Sequence, residues 1–142
     1  MELHTRCSAT SRAIADFDEA VRLNPQLSAA YWQRGVSYAI KGDHARAVAD
    51  YSEAIRLDPK LARAHLDRGN SYAIRGDHTR AIADFDEAIR QEPKLAAAYY
   101  ARGVSYARMG NRTRAVADYR KPLELDPNHG EARRELQSST TK

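Results

Sequence analysis

Small, apolar and aromatic residues recur along the chain at helical intervals, in two alternating stripes. Tyr31, Gly35 and Tyr38 are four and three residues apart, which places them on one face of a helix. Ala47, Tyr51, Ala54 and Ile55 follow the i, i+4, i+7, i+8 pattern of a second amphipathic helix. Between them stands Gly42-Asp43, where glycine can take the left-handed conformation that ends a helix and the aspartate can cap the next one. Pro59, preceded by an acidic residue, cannot continue a helix and marks the end of the second stripe. The pattern predicts a helix-turn-helix unit closed by a proline.

That unit recurs every 34 residues, beginning at Ser28, Ala62 and Ala96. Each copy carries R-G-x-S-Y, then A-x-A-D-[YF], then Pro, and residues 28–61 and 62–95 agree at most positions without a gap. Self-similarity at such a period signals helix pairs that bury their apolar faces on one another, so the core is a continuous seam. The expected fold is an all-α solenoid. Its organisation is an N-terminal segment, 1–27, with the second helix of an incomplete unit; full units 28–61, 62–95 and 96–129; and a capping helix and tail, 130–142.

Large and small residues alternate for a reason of packing. Gly35, Gly69 and Gly103 let the second helix approach, Ala47, Ala81 and Ala115 reciprocate, and Tyr51, Phe85 and Tyr119 fill the space between. Arg34, Arg68 and Arg102 on first helices recur with Asp50, Asp84 and Asp118 on second helices, which predicts a structural ion pair within each unit. His44 and His78 recur beside Asp43 and Asp77. Spaced a full unit apart they lie on successive turns of a solenoid, so they are expected as solvated turn residues and not as metal ligands. Pro122, late in the third unit's second helix, predicts a kink or an early end near Arg120.

The ends differ from the units. Residues 1–10 occupy the place of a first helix without sharing its pattern, so the apolar stripe Ile14, Phe17 and Val21 lacks its natural partner. Residues 130–138 read as a polar helix with Ala132 and Leu136 facing inward, a solvating cap, and residues 137–142 as a frayed tail. Ile14, Phe17, Val21 and Leu136 are accordingly the candidate self-association surface, giving a homodimer or a head-to-tail homo-oligomer.

Composition narrows the function. Charged residues make up 30% of the chain with both signs interleaved, and the net charge of +4 is a modest surplus concentrated in the third unit. Nucleic acid is therefore not the expected partner. The start of the chain lacks the apolar core of a secretory signal, and no run has the length of a membrane span. The lone Cys7 cannot form an internal disulfide and has no adjacent base to activate it. A cytoplasmic location is the expectation. No acid-base pair, nucleophile with its base, or metal cluster is apparent, so neither catalysis nor a cofactor is expected.

The motif Y-x2-R-G-x2-Y, A-x3-[YF]-x2-A and P resembles that of the tetratricopeptide repeat family, over residues 28–129. Departures are His65 in place of the aromatic that opens the first helix, arginine at 34, 68 and 102 in place of leucine, and Pro122 in place of a small residue. The resemblance implies a right-handed superhelix whose first helices line a concave face that takes up peptides. The positions that would do so are Ala29, Trp32, Val36, Ala39 and Ile40; Arg63, Leu66, Asn70, Ala73 and Ile74; and Ala97, Tyr100, Val104, Ala107 and Arg108. Trp32, Leu66 and Tyr100 would form a ladder, with Asn70 and Arg63 or Arg108 fixing orientation. A family variant grips a C-terminal carboxylate with two lysines, two asparagines and an arginine. Asn70 is the one match, so the implied ligand is instead an amphipathic helix or an apolar extended segment of another protein.

Overall fold

The computed structural model describes residues 2–140, with side chains from 8 to 140. Among these residues the chain forms eight helices: α1 (Glu2–Leu23), α2 (Ser28–Ile40), α3 (His44–Leu57), α4 (Ala62–Ile74), α5 (His78–Gln91), α6 (Ala96–Arg108), α7 (Arg112–Leu125) and α8 (Gly130–Thr140). Each packs on its sequence neighbours, and α4 also touches α2 and α6. The second helices α3, α5 and α7 make no comparable contact with one another, so α2, α4 and α6 line the tighter, inner side of the stack.

The turns follow from a few residues. Gly42, Gly76 and Gly110 have φ of 82°, 84° and 84°. Gly42 N–H donates to the Ala39 carbonyl at 2.9 Å and Asp43 N–H to that of Tyr38 at 2.9 Å, a Schellman pair that satisfies the last carbonyls of α2. The Asp43 side chain then accepts from Arg46 N–H at 3.1 Å and caps α3. Asp77 and Asn111 cap α5 and α7 in the same way. One dipeptide thus closes one helix and opens the next.

The seam is built as the glycine pattern predicts. A Cβ at Gly35, Gly69 or Gly103 would lie 2.7, 2.6 or 2.7 Å from Cε1 of Tyr51, Phe85 or Tyr119, so each ring lies directly on the glycine of the facing helix. The three rings are fully buried. Leu66, Ala81, Phe85, Ala88, Leu95 and Ala98 form the central cluster.

Three features depart from expectation. No break precedes Ala13, and Glu2–Leu23 is one continuous helix. Ser8 and Ala9 stand where Gly42 and Asp43 stand one unit later, so nothing there supplies a positive φ or a cap. Second, α7 does not end near Arg120 but runs to Leu125 with Pro122 inside it. Pro122 is fully buried where Ala54 and Ala88 sit in the other units, and its carbonyl still accepts the Asp126 N–H at 2.8 Å. Burial of the ring offsets the one lost backbone bond. Third, α8 continues through Gln137 to Thr140, whose hydroxyl bonds the Leu136 carbonyl at 3.0 Å. Cys7 lies outside the described side chains, and residues 141–142 lie outside the described chain.

Candidate protein-binding groove

The arginines on the first helices fix the stack. Arg68 donates through Nε to Asp84 Oδ2 at 2.8 Å and through Nη2 to Asp84 Oδ1 at 2.7 Å, and Arg34 with Asp50 and Arg102 with Asp118 repeat this fork. The third nitrogen crosses to the preceding unit. Arg34 Nη1 reaches Asp18 at 2.8 Å, Arg68 Nη1 reaches Ser52 at 3.2 Å and Arg102 Nη1 reaches Asp86 at 2.8 Å. The sequence spacing gives the pair within a unit but not this link between units. His44 and His78 are likewise not solvated: Nδ1 of each lies 3.2 Å from the hydroxyl of Ser71 or Ser105 on the next first helix. They are half-buried ties between units. Arg46, Arg80 and Arg114 lie over the rings of Tyr38, Tyr72 and Tyr106 at 5.6, 5.7 and 5.5 Å from the centroids.

With those contacts made elsewhere, the inner face of α2, α4 and α6 holds three adjoining cavities of about 310, 480 and 530 Å³. Val36, Ile40, Asn70 and Ile74 line the first; Asn70, Ile74, Tyr100 and Val104 the second; Ile74, Val104 and Arg108 the third. Ile74 borders all three, and Ile40 and Ile74 are 68% and 67% exposed.

The remaining candidate residues are placed otherwise. Leu66 is 5% exposed and belongs to the core cluster, so no aromatic-aliphatic ladder stands on the surface. Leu66 packs instead with Phe85, Leu95 and Ala98, and its neighbour His65, at the opening position of the helix, is buried as well. Trp32 is half-buried and donates its indole N–H to Asp67 Oδ2 at 2.8 Å. Tyr100 packs between Tyr119 and His129, with centroids 6.0 and 5.7 Å away. Arg63 borders a different cavity with Gln91 and Leu95.

Asp67 was missed in the sequence and lies in the first cavity. Burial pushes its carboxyl above the ordinary range, offset in part by the Trp32 hydrogen bond and the charge of Arg63. A signal existed, since Gln33 and Ala101 stand at the matching positions of units that otherwise agree. Ile14, Phe17 and Val21 on α1, and Leu136 on α8, are half-buried. Among the described residues there is no group of three or more His, Cys, Asp or Glu that could hold a metal ion. No helix among them is long and apolar enough to cross a membrane.

A family model described as TPR repeat matches residues 37–73 and 69–110, and one described as tetratricopeptide repeat matches residues 96–129. The chain belongs to the tetratricopeptide repeat family. No curated protein matches it by sequence. Among solved structures, this tetratricopeptide repeat protein is similar to the first repeat domain of Spaghetti (RPAP3) bound to the HSP90 peptide SRMEEVD, at 25% identity and a TM-score of 0.80 over 82% of this chain and 92% of that one. It is similar to the second repeat domain of human RPAP3 in complex with the HSP70 peptide SGPTIEEVD, at 25% identity and a TM-score of 0.76 over 79% and 93%. A MamA RS-1 double mutant aligns over 99% of this chain and 79% of its own, with a TM-score of 0.89 at 21% identity, a likeness of fold.

Proposed function

We propose that the protein is an interaction module that seats an apolar segment of another protein, extended or helical, along the inner face of α2, α4 and α6. The observation that carries this reading is the exposure of Ile40 and Ile74 on a face whose packing is already completed by the glycines, alanines and arginine forks. Contiguous open apolar surface bordered by polar groups is the usual mark of a partner site. The two RPAP3 neighbours hold peptides, which supports peptide binding by this fold. Their peptides end in E-E-V-D, whereas the first two cavities present Val36, Ile74, Val104 and Asp67 and the one arginine of the groove, Arg108, stands only in the third, so an apolar segment fits this groove better. The reading assigns the chain no reaction.

The test is selection of short phage-displayed peptides on the full chain, followed by rebinding to Ile74→Gln. Loss of the apolar contact at the border of all three cavities, with no change of charge, should weaken binding about tenfold, with the helical circular dichroism unchanged. Equal binding to both proteins refutes the groove.

One observation favours self-association beside this. Phe17 is half-buried, although its counterparts Tyr51, Phe85 and Tyr119 are fully buried. Phe17 lines none of the three groove cavities, so the two activities are compatible.

A further inference from the structure

Successive units place unlike chemistry in like positions. The cavity between α4 and α6 is bordered by Phe85 and Ala101, and that between α2 and α4 carries Tyr51 and Asp67 at the corresponding places. The first of these has no charged residue in its lining, where Asn70, Tyr100 and Ser105 are the polar members. The cavity between α2 and α4 has a carboxylate and a phenol set among Val36, Ile40 and Ile74, with Asn70 and the His44–Ser71 tie completing its polar lining.

The carboxylate is held in place. Trp32 Nε1 bonds Oδ2 of Asp67 from the neighbouring helix, while Oδ1 makes no hydrogen bond among the described residues. Arg63, one turn earlier on α4, forms no ion pair with it and borders the cavity at Gln91. Arg34 and Arg68 are committed to Asp50 and Asp84. Tyr51 adds a second polar group: burial, then the charges of Asp67 and Asp50, raise its hydroxyl above the ordinary range, which puts the phenol within the field of Asp67. A carboxylate in partly apolar surroundings, bonded on one oxygen and open on the other, presents a negative charge without an ion-pair partner to whatever enters the cavity.

We infer that the segment seated in the groove carries a lysine or arginine whose cation meets Asp67 in the cavity between α2 and α4, with an apolar residue in the next cavity against Tyr100, Ala101 and Val104. This rests on the groove reading and names the chemistry it selects. It also sets the groove apart from one suited to acidic tails, because a ligand carboxylate would face Asp67.

The peptides selected on the full chain supply the test, read by their sequences and by their affinity for Asp67→Asn. Asparagine keeps an oxygen for the Trp32 hydrogen bond, so the cavity stays framed while the charge is removed. The expected result is enrichment of Lys or Arg flanked by apolar residues. Binding of such a peptide should fall about tenfold with Asp67→Asn, as for loss of a charged hydrogen bond, and the fall should disappear when its Lys or Arg is replaced by norleucine. Trp32, the one tryptophan in the chain, reports occupancy by its fluorescence. If peptides lose affinity for Ile74→Gln yet show no basic enrichment, or bind Asp67→Asn unchanged, the inference is overturned and the groove stands. If no selected peptide depends on Ile74, the groove reading and this inference fall together.

Discussion

Replacing Gly69 with alanine sets two known effects against each other. In an α-helix the substitution is intrinsically favourable by about 1 kcal/mol, because alanine loses less backbone entropy on folding. At Gly69 the added Cβ would lie 2.6 Å from Phe85 Cε1, 2.9 Å from Cδ1 and 3.2 Å from the Ala81 carbonyl oxygen. The first two distances are well inside contact, and the ring is closely held: Phe85, Ala81 and Ala88 are all 0% exposed. Relief by pushing the ring toward the cavity it borders, or by separating α4 from α5, disturbs its packing with Leu66 and Leu95 as well. Overpacking of this kind costs about 1 to 3 kcal/mol, so the net expectation is destabilisation of up to about 2 kcal/mol. Urea unfolding of wild type and Gly69→Ala, followed by circular dichroism, should show a lower midpoint with an unchanged slope. In the Phe85→Leu background, where the aromatic edge is gone, the alanine should cost less or become stabilising, a positive coupling between neighbours. A midpoint that rises with Gly69→Ala in the wild-type background would refute the reasoning, since it would mean the ring yields at less than the helix gains.

Two further outcomes follow from the arginine forks and from α1. Arg68→Met leaves Asp84, whose side chain is 7% exposed, without its fork, and should destabilise by about 3 kcal/mol, toward the lower end for a broken buried pair because the Arg68 side chain is itself 21% exposed. Burial pushes the Asp84 carboxyl up, but Arg68 and, 3.7 Å away and beyond hydrogen-bond reach, the His65 ring more than offset it and hold it below the ordinary range. A depressed carboxyl contributes stability above its unfolded value, near pH 4, that is lost as pH falls through the lower folded value. Wild type should therefore lose this contribution below about pH 4, and Arg68→Met should lack that loss; parallel acid-unfolding curves for the two would overturn the assignment. Phe17→Asp should convert any dimer seen by light scattering to monomer without altering peptide binding, and a persisting dimer would place the contact elsewhere.

How much could be read in the sequence depends on whether a position is repeated for the unit or varied between units. Repetition made the helices, the Gly-Asp turns and the Arg-Asp pairs legible, because each serves the same local geometry in every copy. Contacts between units were harder: Arg34 to Asp18 and His44 to Ser71 join residues whose spacing has meaning only once the stack is known. Pro122 misled because propensity prices a proline against an exposed helix, whereas its ring fills a buried site. The ladder of Trp32, Leu66 and Tyr100 misled for a related reason, since sharing a position does not mean sharing an environment.

The residues repeated in every unit and the residues that vary perform different tasks. Glycine, alanine and the fork arginine turn their contacts toward the second helices, and in doing so they hold α2, α4 and α6 side by side without using the faces that look inward. Those faces are free to differ, and they do: Val36, Asn70 and Val104 at one level, Gln33, Asp67 and Ala101 at another. Asp67 would be a poor residue to place in a packing layer, since a half-bonded carboxylate raises the cost of burial. Trp32 on the neighbouring helix restrains that carboxylate without neutralising it. A position that costs the fold something and is oriented by a second side chain is better explained by what it meets from outside than by what it does for the stack.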